Sequence, residues 1–145
     1  MITRVAGTGT AGNTGDDGFA TDTQLNDPAG LAVSGDGGFL IADFGNHVVR
    51  KVSADRVITR IAGSVRPGNS GDDGRATYAQ LAWPEGLAVT GDGGFLIADV
   101  GNHVVRKVSA DGMITRVAGN GIAGNAGDGG VGPLSPCSRP LWGWR

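Results

Sequence analysis

The stretch that decides the fold is Ile-Ala-Asp-Phe-Gly-Asn-His-Val-Val-Arg-Lys-Val at residues 41–52, which returns with one substitution at residues 97–108. The two stretches are 56 residues apart, and the match extends well beyond them, because 40 of 56 positions are identical between residues 2–57 and 58–113. A third copy begins at Ile114. Repeats of this length are typical of architectures in which each unit buries its apolar face against the next.

Each repeat has the pattern of four short β-strands. Its apolar residues alternate with polar ones or form short runs, without the 3.6-residue period of a helix. Between the runs lie turn residues, and Gly35-Asp36-Gly37-Gly38 has the glycines that a hairpin turn with positive φ requires. A regular series of four-stranded antiparallel sheets predicts an all-β protein, a partial β-propeller. The predicted strands are 29–34, 39–43, 47–53 and 57–62 in the first blade and 85–90, 95–99, 103–109 and 113–118 in the second. The connecting segment from Gly63 to Pro84 is predicted to hold one helical turn at residues 76–81.

Three parts of the repeat resemble the NHL repeat, which is named after an Asn-His-Leu-type run. These parts are the stretch with Asn-His-Val at 41–52 and 97–108, the Pro-x-Gly-Leu-Ala-Val run at 28–33 and 84–89, and the Gly-Asp-Asp-Gly loop at 15–18 and 71–74. Val48 and Val104 stand where the family name has leucine, which is within the variation of such repeats. The resemblance covers residues 2–130, and it implies a β-propeller, usually of six blades, that serves as a binding scaffold.

The phase of the repeat predicts the domain organisation. An NHL-repeat β-propeller segment at residues 1–130 holds two complete blades, at about 29–62 and 85–118, and an orphan outer strand at 2–7 whose own sheet is missing. Each propeller blade packs against two neighbours, so two blades alone leave two apolar faces open. The sequence therefore predicts either a fragment of a larger propeller protein or self-association, since three two-blade copies would complete a six-bladed ring.

Residues 131–145 break the repeat with a proline-rich segment. Read from the third base of each codon, the codons of Trp142–Arg145 encode Gly, then Leu, Val or Met, then Ala when Arg145 has a CGN codon. This series matches Gly30-Leu31-Ala32 of the repeat. We interpret the non-repeat tail as frame-shifted, so that Cys137 and the two tail tryptophans have no function; the alternative is an unstructured proline-rich tail.

Composition argues against several classes of function. The 12 Lys and Arg residues against 14 Asp and Glu provide no positive field that would attract nucleic acid. No apolar run approaches the roughly 18 residues that cross a membrane, and Met1-Ile2-Thr3-Arg4 does not begin a signal peptide. The single Cys137 excludes an internal disulfide and a cysteine-based zinc cluster. The sequence does not indicate a compartment.

Acidic loops and histidines are predicted to be structural. Aspartate before glycine, as in Asp16-Asp17 and Asp72-Asp73, favours turns. A calcium site needs six to eight converging oxygens, and the EF-hand spacing that supplies them is absent from this sequence. His47 and His103 occupy equivalent positions at the predicted start of each third strand, away from the innermost strand. A metal or general-base role would require convergent partners.

The same reasoning applies to the recurring charged pairs. Asp43 precedes Arg50 by seven residues, as Asp99 precedes Arg106, so each pair can meet across two adjacent strands. A pair repeated in every blade indicates scaffold, because an active site needs unlike groups in unlike places. We therefore predict no catalytic residue, no metal site and no cofactor.

Positions that differ between the copies are better candidates for recognition, because they lie in the segments between blades, where loops usually carry binding. The second of these segments contains the predicted binding residues, which are Arg66, Arg75, Tyr78 and Trp83. Exposed Trp, Tyr and Arg are typical of binding hot spots. The alternative for Trp83 is that it packs against the blade beside Pro84.

The sequence predicts a non-enzymatic NHL-repeat scaffold that binds a protein or a small ligand, not nucleic acid or a membrane. The alternative is a fragment of a propeller-type metal-dependent lyase or lactonase. Such an enzyme would place histidine and carboxylate ligands on the innermost strands, where this sequence offers only Glu85. RNA binding, a third alternative, would require a basic face.

Overall fold

The structure is a computed structural model, and it describes residues 1–125. In this range the chain forms eight strands and four short 3-10 turns. The strands are β1 Pro28–Val33, β2 Phe39–Asp43, β3 Val48–Val52, β4 Ile58–Ala62, β5 Pro84–Val89, β6 Phe95–Asp99, β7 Val104–Val108 and β8 Ile114–Ala118. The 3-10 turns are Ala20–Asp22, Phe44–Asn46, Ala76–Tyr78 and Val100–Asn102. The tail at 131–145, its frame-shift interpretation and the end of the 1–130 segment lie outside the described residues.

The eight strands form two four-stranded antiparallel sheets, each in the order of the sequence, β1-β2-β3-β4 and β5-β6-β7-β8. The predicted fold class, all-β with four-stranded antiparallel units, is confirmed. The hairpin between β1 and β2 turns at Gly37, whose φ is 91°, a conformation that L side chains rarely adopt. No helix among residues 1–125 has the length and apolar character needed to cross a membrane.

Most predicted strand ends differ from the structure by one residue, and two of the differences from the predicted bounds have a clear local backbone reason. His47 and His103 precede the third strands, which begin at Val48 and Val104, because both histidines have left-handed backbone (φ 57° and 58°) and close a 3-10 turn. The helical turn predicted at 76–81 is the shorter 3-10 turn Ala76–Tyr78, which ends where Ala79 returns to extended backbone.

Residues 2–7 are not in a strand, although they occupy the repeat position of β4 and β8. A strand exists only through its partner, and none of the strands described within residues 1–125 pairs with this segment. Ile2 is accordingly exposed, and the segment is fixed only near its end, where the Gly7 N–H donates to the Ala20 carbonyl at 2.9 Å.

The segment before each sheet lies along that sheet's outer strand. In the first repeat the Asp17 N–H donates to the Ile58 carbonyl at 2.7 Å, and the Ile58 N–H donates to the Gly18 carbonyl at 3.0 Å. The second repeat has the same pair of bonds between Asp73, Gly74 and Ile114. The acidic loops are therefore attached to the blades by backbone hydrogen bonds.

The main apolar core lies between the two sheets. Leu40, Val49 and Ala62 of the first sheet meet Phe95 and Ile97 of the second. The innermost strands β1 and β5 approach so closely that a Cβ on Gly30 would lie 1.8 Å from the Glu85 carbonyl oxygen. Glycine at this position of the Pro-x-Gly-Leu-Ala-Val run is thus required by the distance between the blades.

Candidate functional site

The charged groups of each blade converge on one buried arginine. Arg50 is completely buried on β3, and its Nε and Nη2 donate to Asp16 Oδ1 at 3.1 and 2.9 Å. Its Nη1 donates to Asp43 Oδ2 at 3.1 Å and to the Gln24 carbonyl at 2.8 Å. Nη2 also donates to the Thr14 carbonyl at 3.3 Å. One guanidinium thus connects the acidic loop, the following segment and the end of β2.

The carboxylate of Asp43 is equally engaged. Its Oδ1 accepts the Asn26 N–H at 2.7 Å, and its Oδ2 accepts the Asn46 Nδ2 at 2.8 Å as well as the Arg50 Nη1. Asn46 Nδ2 also donates to the Gly12 carbonyl at 2.7 Å. Burial of a charge is costly unless it is paired and hydrogen-bonded, and here every oxygen of the carboxylate has a partner.

The second blade repeats this network. Arg106 pairs with Asp72 at 3.0 Å and with Asp99 at 3.3 Å, and it also donates to the Gln80 and Ser70 carbonyls. The predicted cross-strand pairs of aspartate and arginine are confirmed in both blades. The carboxylates of the acidic loops have a role that the sequence did not reveal, because Asp16 and its equivalent each bind the buried arginine of their blade.

The hairpin aspartates act as turn residues. Asp36 Oδ1 accepts the Ser34 Oγ at 2.6 Å and the Gly38 N–H at 3.1 Å, and its Oδ2 accepts Lys51 Nζ at 2.6 Å. The hydrogen bond from Lys51, with smaller contributions from Ser34 and Gly38, holds the pKa of Asp36 below its ordinary value. Asp92 has the equivalent set of partners and the same direction of pKa shift.

Trp83 packs across the two blades. Its indole lies edge-on to the His47 ring, with centroids 4.3 Å apart, and 5.0 Å from the Phe44 ring. The Trp83 N–H donates to His47 Nδ1 at 3.1 Å. Burial lowers the pKa of His47, against the opposing effect of the Asp99 charge, so His47 is a neutral acceptor that joins the blades. Trp83 is still 43% exposed, and it contacts the preceding blade, not only the strand that starts at Pro84.

The other three predicted binding residues are exposed. Arg75 directly precedes the 3-10 turn Ala76–Tyr78, and Tyr78 is the last residue of that turn. Ala76 is buried and anchors the turn, whereas Tyr78 is 76% exposed. Arg66 lies farther back in the same segment. Within residues 1–125, the Tyr78 N–H donates to the Arg75 carbonyl at 3.1 Å, but no side-chain hydrogen bond, ion pair or ring contact joins any two of the four predicted residues. The structure therefore does not assemble their side chains into one site.

Arg75 instead lies at a cleft of about 350 Å³ between the two blades. Two further cations, Lys51 and Arg60, line the cleft, together with apolar residues that include Phe95 and Val108. The Lys51 charge is paired with Asp36, and Arg60 donates through Nη1 to the Gly63 and Thr77 carbonyls. In the described part of the chain, Arg75 forms no ion pair.

Comparison with known protein families identifies the repeat that forms the two sheets. The NHL-repeat model matches the chain twice, at residues 25–52 and 81–108, and each match ends in the third strand of one sheet. This chain is an NHL-repeat protein. Its two sheets are NHL blades of a partial β-propeller, and the Asp43–Asn46–Arg50 network lies inside the first match.

Relatives of this NHL chain are much longer than it. It is 33% identical over 93 residues to the chloroplastic protein Suppressor of Quenching 1 of Arabidopsis thaliana, with 63% of this chain and 9% of that protein covered. It is 33% identical over 104 residues to NHL repeat-containing protein 2 of Gallus gallus, with 70% of this chain and 14% of that protein covered. A solved structure from Bacteroides thetaiotaomicron, of unknown function, superposes with a TM-score of 0.61 at 31% identity, covering 70% of this chain and 26% of that one.

The positions of the acidic side chains and histidines show which groups could hold a metal or a cofactor. Asp16 and Asp43 share the Arg50 guanidinium, and the innermost strand β5 contains Glu85, which is exposed. Among residues 1–125, no three His, Cys, Asp or Glu side chains are arranged as metal ligands. The Arg75 guanidinium beside the cleft is exposed and forms no ion pair within residues 1–125, so it is accessible to a ligand.

Proposed function

We propose that this NHL chain is a non-enzymatic binding scaffold, and that it binds a carboxylate-rich segment of a partner protein at the cleft beside Arg75. The observation that supports this proposal is an exposed cation without an ion pair in the described chain, at the edge of an interblade cleft. Charge-assisted hydrogen bonds from arginine to carboxylate are the stronger kind, which suits recognition. The cleft is near the lower end of ligand pockets, so it suits side chains of a peptide better than a folded domain.

The repeat itself supports a special role for this position. Arg75 corresponds to Phe19, and Tyr78 to Asp22, whereas the residues that contribute side chains to the buried network are identical in both copies. A group needed only for folding is expected in every blade, and Arg75 is present in one. The buried carboxylates and guanidiniums are engaged in the repeated networks, which supports the non-enzymatic part of the proposal.

A titration with short peptides tests the ligand class. We expect a polyglutamate peptide to bind the 145-residue chain at low salt and a polylysine peptide not to bind. Arg75→Phe, which installs the residue of the first repeat, is expected to weaken binding roughly tenfold, in keeping with the loss of one charge-assisted hydrogen bond. The matched control is Arg66→Thr, which removes the same charge from the same segment and also installs the first-repeat residue.

Equal weakening by both substitutions would show only a general effect of charge and would contradict a site at Arg75. The non-enzymatic part is tested separately by metal analysis of the purified chain. Stoichiometric zinc or calcium would favour the alternative, a fragment of a metal-dependent lyase or lactonase.

A further inference from the structure

The apolar residues that form the interface between the two blades recur, 56 positions away, on the outer sides of the blade pair. These apolar residues number thirteen, and eleven of them are identical to their equivalents 56 positions away. The two differences are Ile61, which corresponds to Val117, and Ala79, which corresponds to Thr23. The outer sides of the blade pair therefore present nearly the same side chains as the inner sides.

The second blade exposes the surface that the first blade buries. We call this surface the trailing face; it consists of Ala88, Leu96, Val105, Val117 and Ala118. In the first blade Val49 and Ala62 are completely buried, whereas their equivalents Val105 and Ala118 are half-buried and exposed.

The first blade exposes the complementary surface. We call it the leading face; it consists of Leu31, Val33 and Phe39. Leu31 and Val33 are 67% and 82% exposed, although the equivalent Leu87 packs into the interblade core. Large apolar side chains exposed side by side on one face indicate an interaction surface.

The polar contacts between the blades also have prepared equivalents. The hydrogen bond from the Trp83 N–H to His47 Nδ1 would have its equivalent between the Asp27 N–H of one copy and His103 Nδ1 of another. Asp27 already has the left-handed backbone of Trp83 (φ 55° against 56°), and His103 has that of His47 (φ 58° against 57°). Asp27 has a carboxylate where Trp83 has an indole, so the side chains that would meet in the second interface are a carboxylate and an imidazole.

We infer that the leading face of a second copy docks on the trailing face of the first, in the geometry of the interblade interface. This inference does not depend on the proposed ligand site. The contact is head-to-tail, and such contacts give closed rings when the rotation closes. In this arrangement Gly86 lies against Ala29 of the second copy, as Gly30 lies against Glu85, and Arg116 lies near the Thr21 carbonyl, as Arg60 lies near Thr77.

Gly86 provides a test that spares the fold of the single chain. A Cβ on Gly86 would have Ala98 Cβ as its nearest neighbour, at 3.4 Å, whereas a Cβ on the equivalent Gly30 would lie 1.8 Å from the Glu85 oxygen. We expect light scattering of the full 145-residue chain to give a discrete oligomer, with three chains if six blades close the ring. Gly86→Ala is expected to give a monomer with unchanged circular dichroism. Gly91→Ala, at a position with nothing within 4 Å of a Cβ, is the control and is expected to assemble.

A second variant tests for gain of assembly. Asp27→Trp installs the second-repeat residue opposite His103, and an aromatic contact of this kind is expected to tighten the oligomer roughly tenfold. The gain is expected to vanish in the double variant with Gly86→Ala, which separates docking from general stickiness of a new tryptophan. A chain that stays monomeric at high micromolar concentration, or an oligomer that Gly86→Ala leaves intact, would overturn the inference.

Discussion

Replacement of Asp43 by asparagine isolates the contribution of the buried charge network. The side chain is completely buried, and its Oδ2 accepts from Arg50 Nη1 at 3.1 Å and from Asn46 Nδ2 at 2.8 Å. Asparagine can keep the bond from the Asn26 N–H, but it then turns an NH2 group towards two donors. Arg50 also loses its fully buried counter-charge and keeps only Asp16, which is partly exposed.

Breaking a buried ion pair by removal of one partner costs about 3–5 kcal/mol. With a typical dependence on urea for a small protein, this loss lowers the unfolding midpoint of Asp43→Asn by roughly 2 M. Urea unfolding followed by far-ultraviolet circular dichroism measures the shift. Asp99→Asn makes the same change in the second blade and is expected to give a loss of similar size.

The matched control is Asp36→Asn, which removes a charge from an ion pair of which both members are substantially exposed. Exposed pairs are screened by solvent, so this variant is expected to change the midpoint little. If Asp43→Asn lowers the midpoint no more than Asp36→Asn, the buried network does not hold the acidic loop on the blade. The stabilising role assigned to the aspartate–arginine pair that recurs in each repeat would then be wrong.

Two further predictions concern the contact between blades. The pKa of His47 is lowered in the folded chain from its ordinary value of 6.5. The contribution of His47 to the free energy of unfolding is therefore expected to be complete above that pH and to be lost as the pH falls below it, because the unfolded chain binds the proton more readily than the folded chain. His47→Gln is expected to remove this part of the pH dependence of urea unfolding, whereas the exposed His103→Gln is expected to retain it. At a protein concentration where the chain is monomeric, Gly30→Ala is expected to destabilise it by about 1–3 kcal/mol through overlap with the neighbouring strand, and Gly86→Ala much less. Equal urea midpoints for these two variants at that concentration would contradict the close approach of β1 and β5.

The sequence predicted the architecture because the repeat gives every signal twice. Alternating apolar residues and glycine turns are local features, and they placed the strands within one residue at most boundaries. The pairing of Asp43 with Arg50 was also predictable, since hairpin register follows from the short turn between β2 and β3. The exact start of the third strands was not predictable, because it depends on the left-handed backbone of His47.

The candidate site was predicted only in part. Arg66, Arg75 and Tyr78 were identified as positions that differ between copies, and the structure places them at the surface. Nothing in the spacing indicated that Arg75 borders a cleft, because the cleft is formed by hairpins from two different blades. Trp83 was expected to be either a binding residue or a packing residue, and its contacts with Phe44 and His47 involve residues about 36 positions away.

By itself, the sequence determined the repeat length, because the same residues return after 56 positions. It also determined the four-stranded blade and the family, because both are recorded in local patterns within one repeat. Only the tertiary structure decided that Asp16 binds Arg50 across 34 residues, that Trp83 reaches the preceding blade, and that Arg75 borders a cleft between blades. The physical reason is the same in each case. A strand is specified by its neighbours in sequence, but a buried ion pair or a cleft is specified by which surfaces the packing of two sheets brings together.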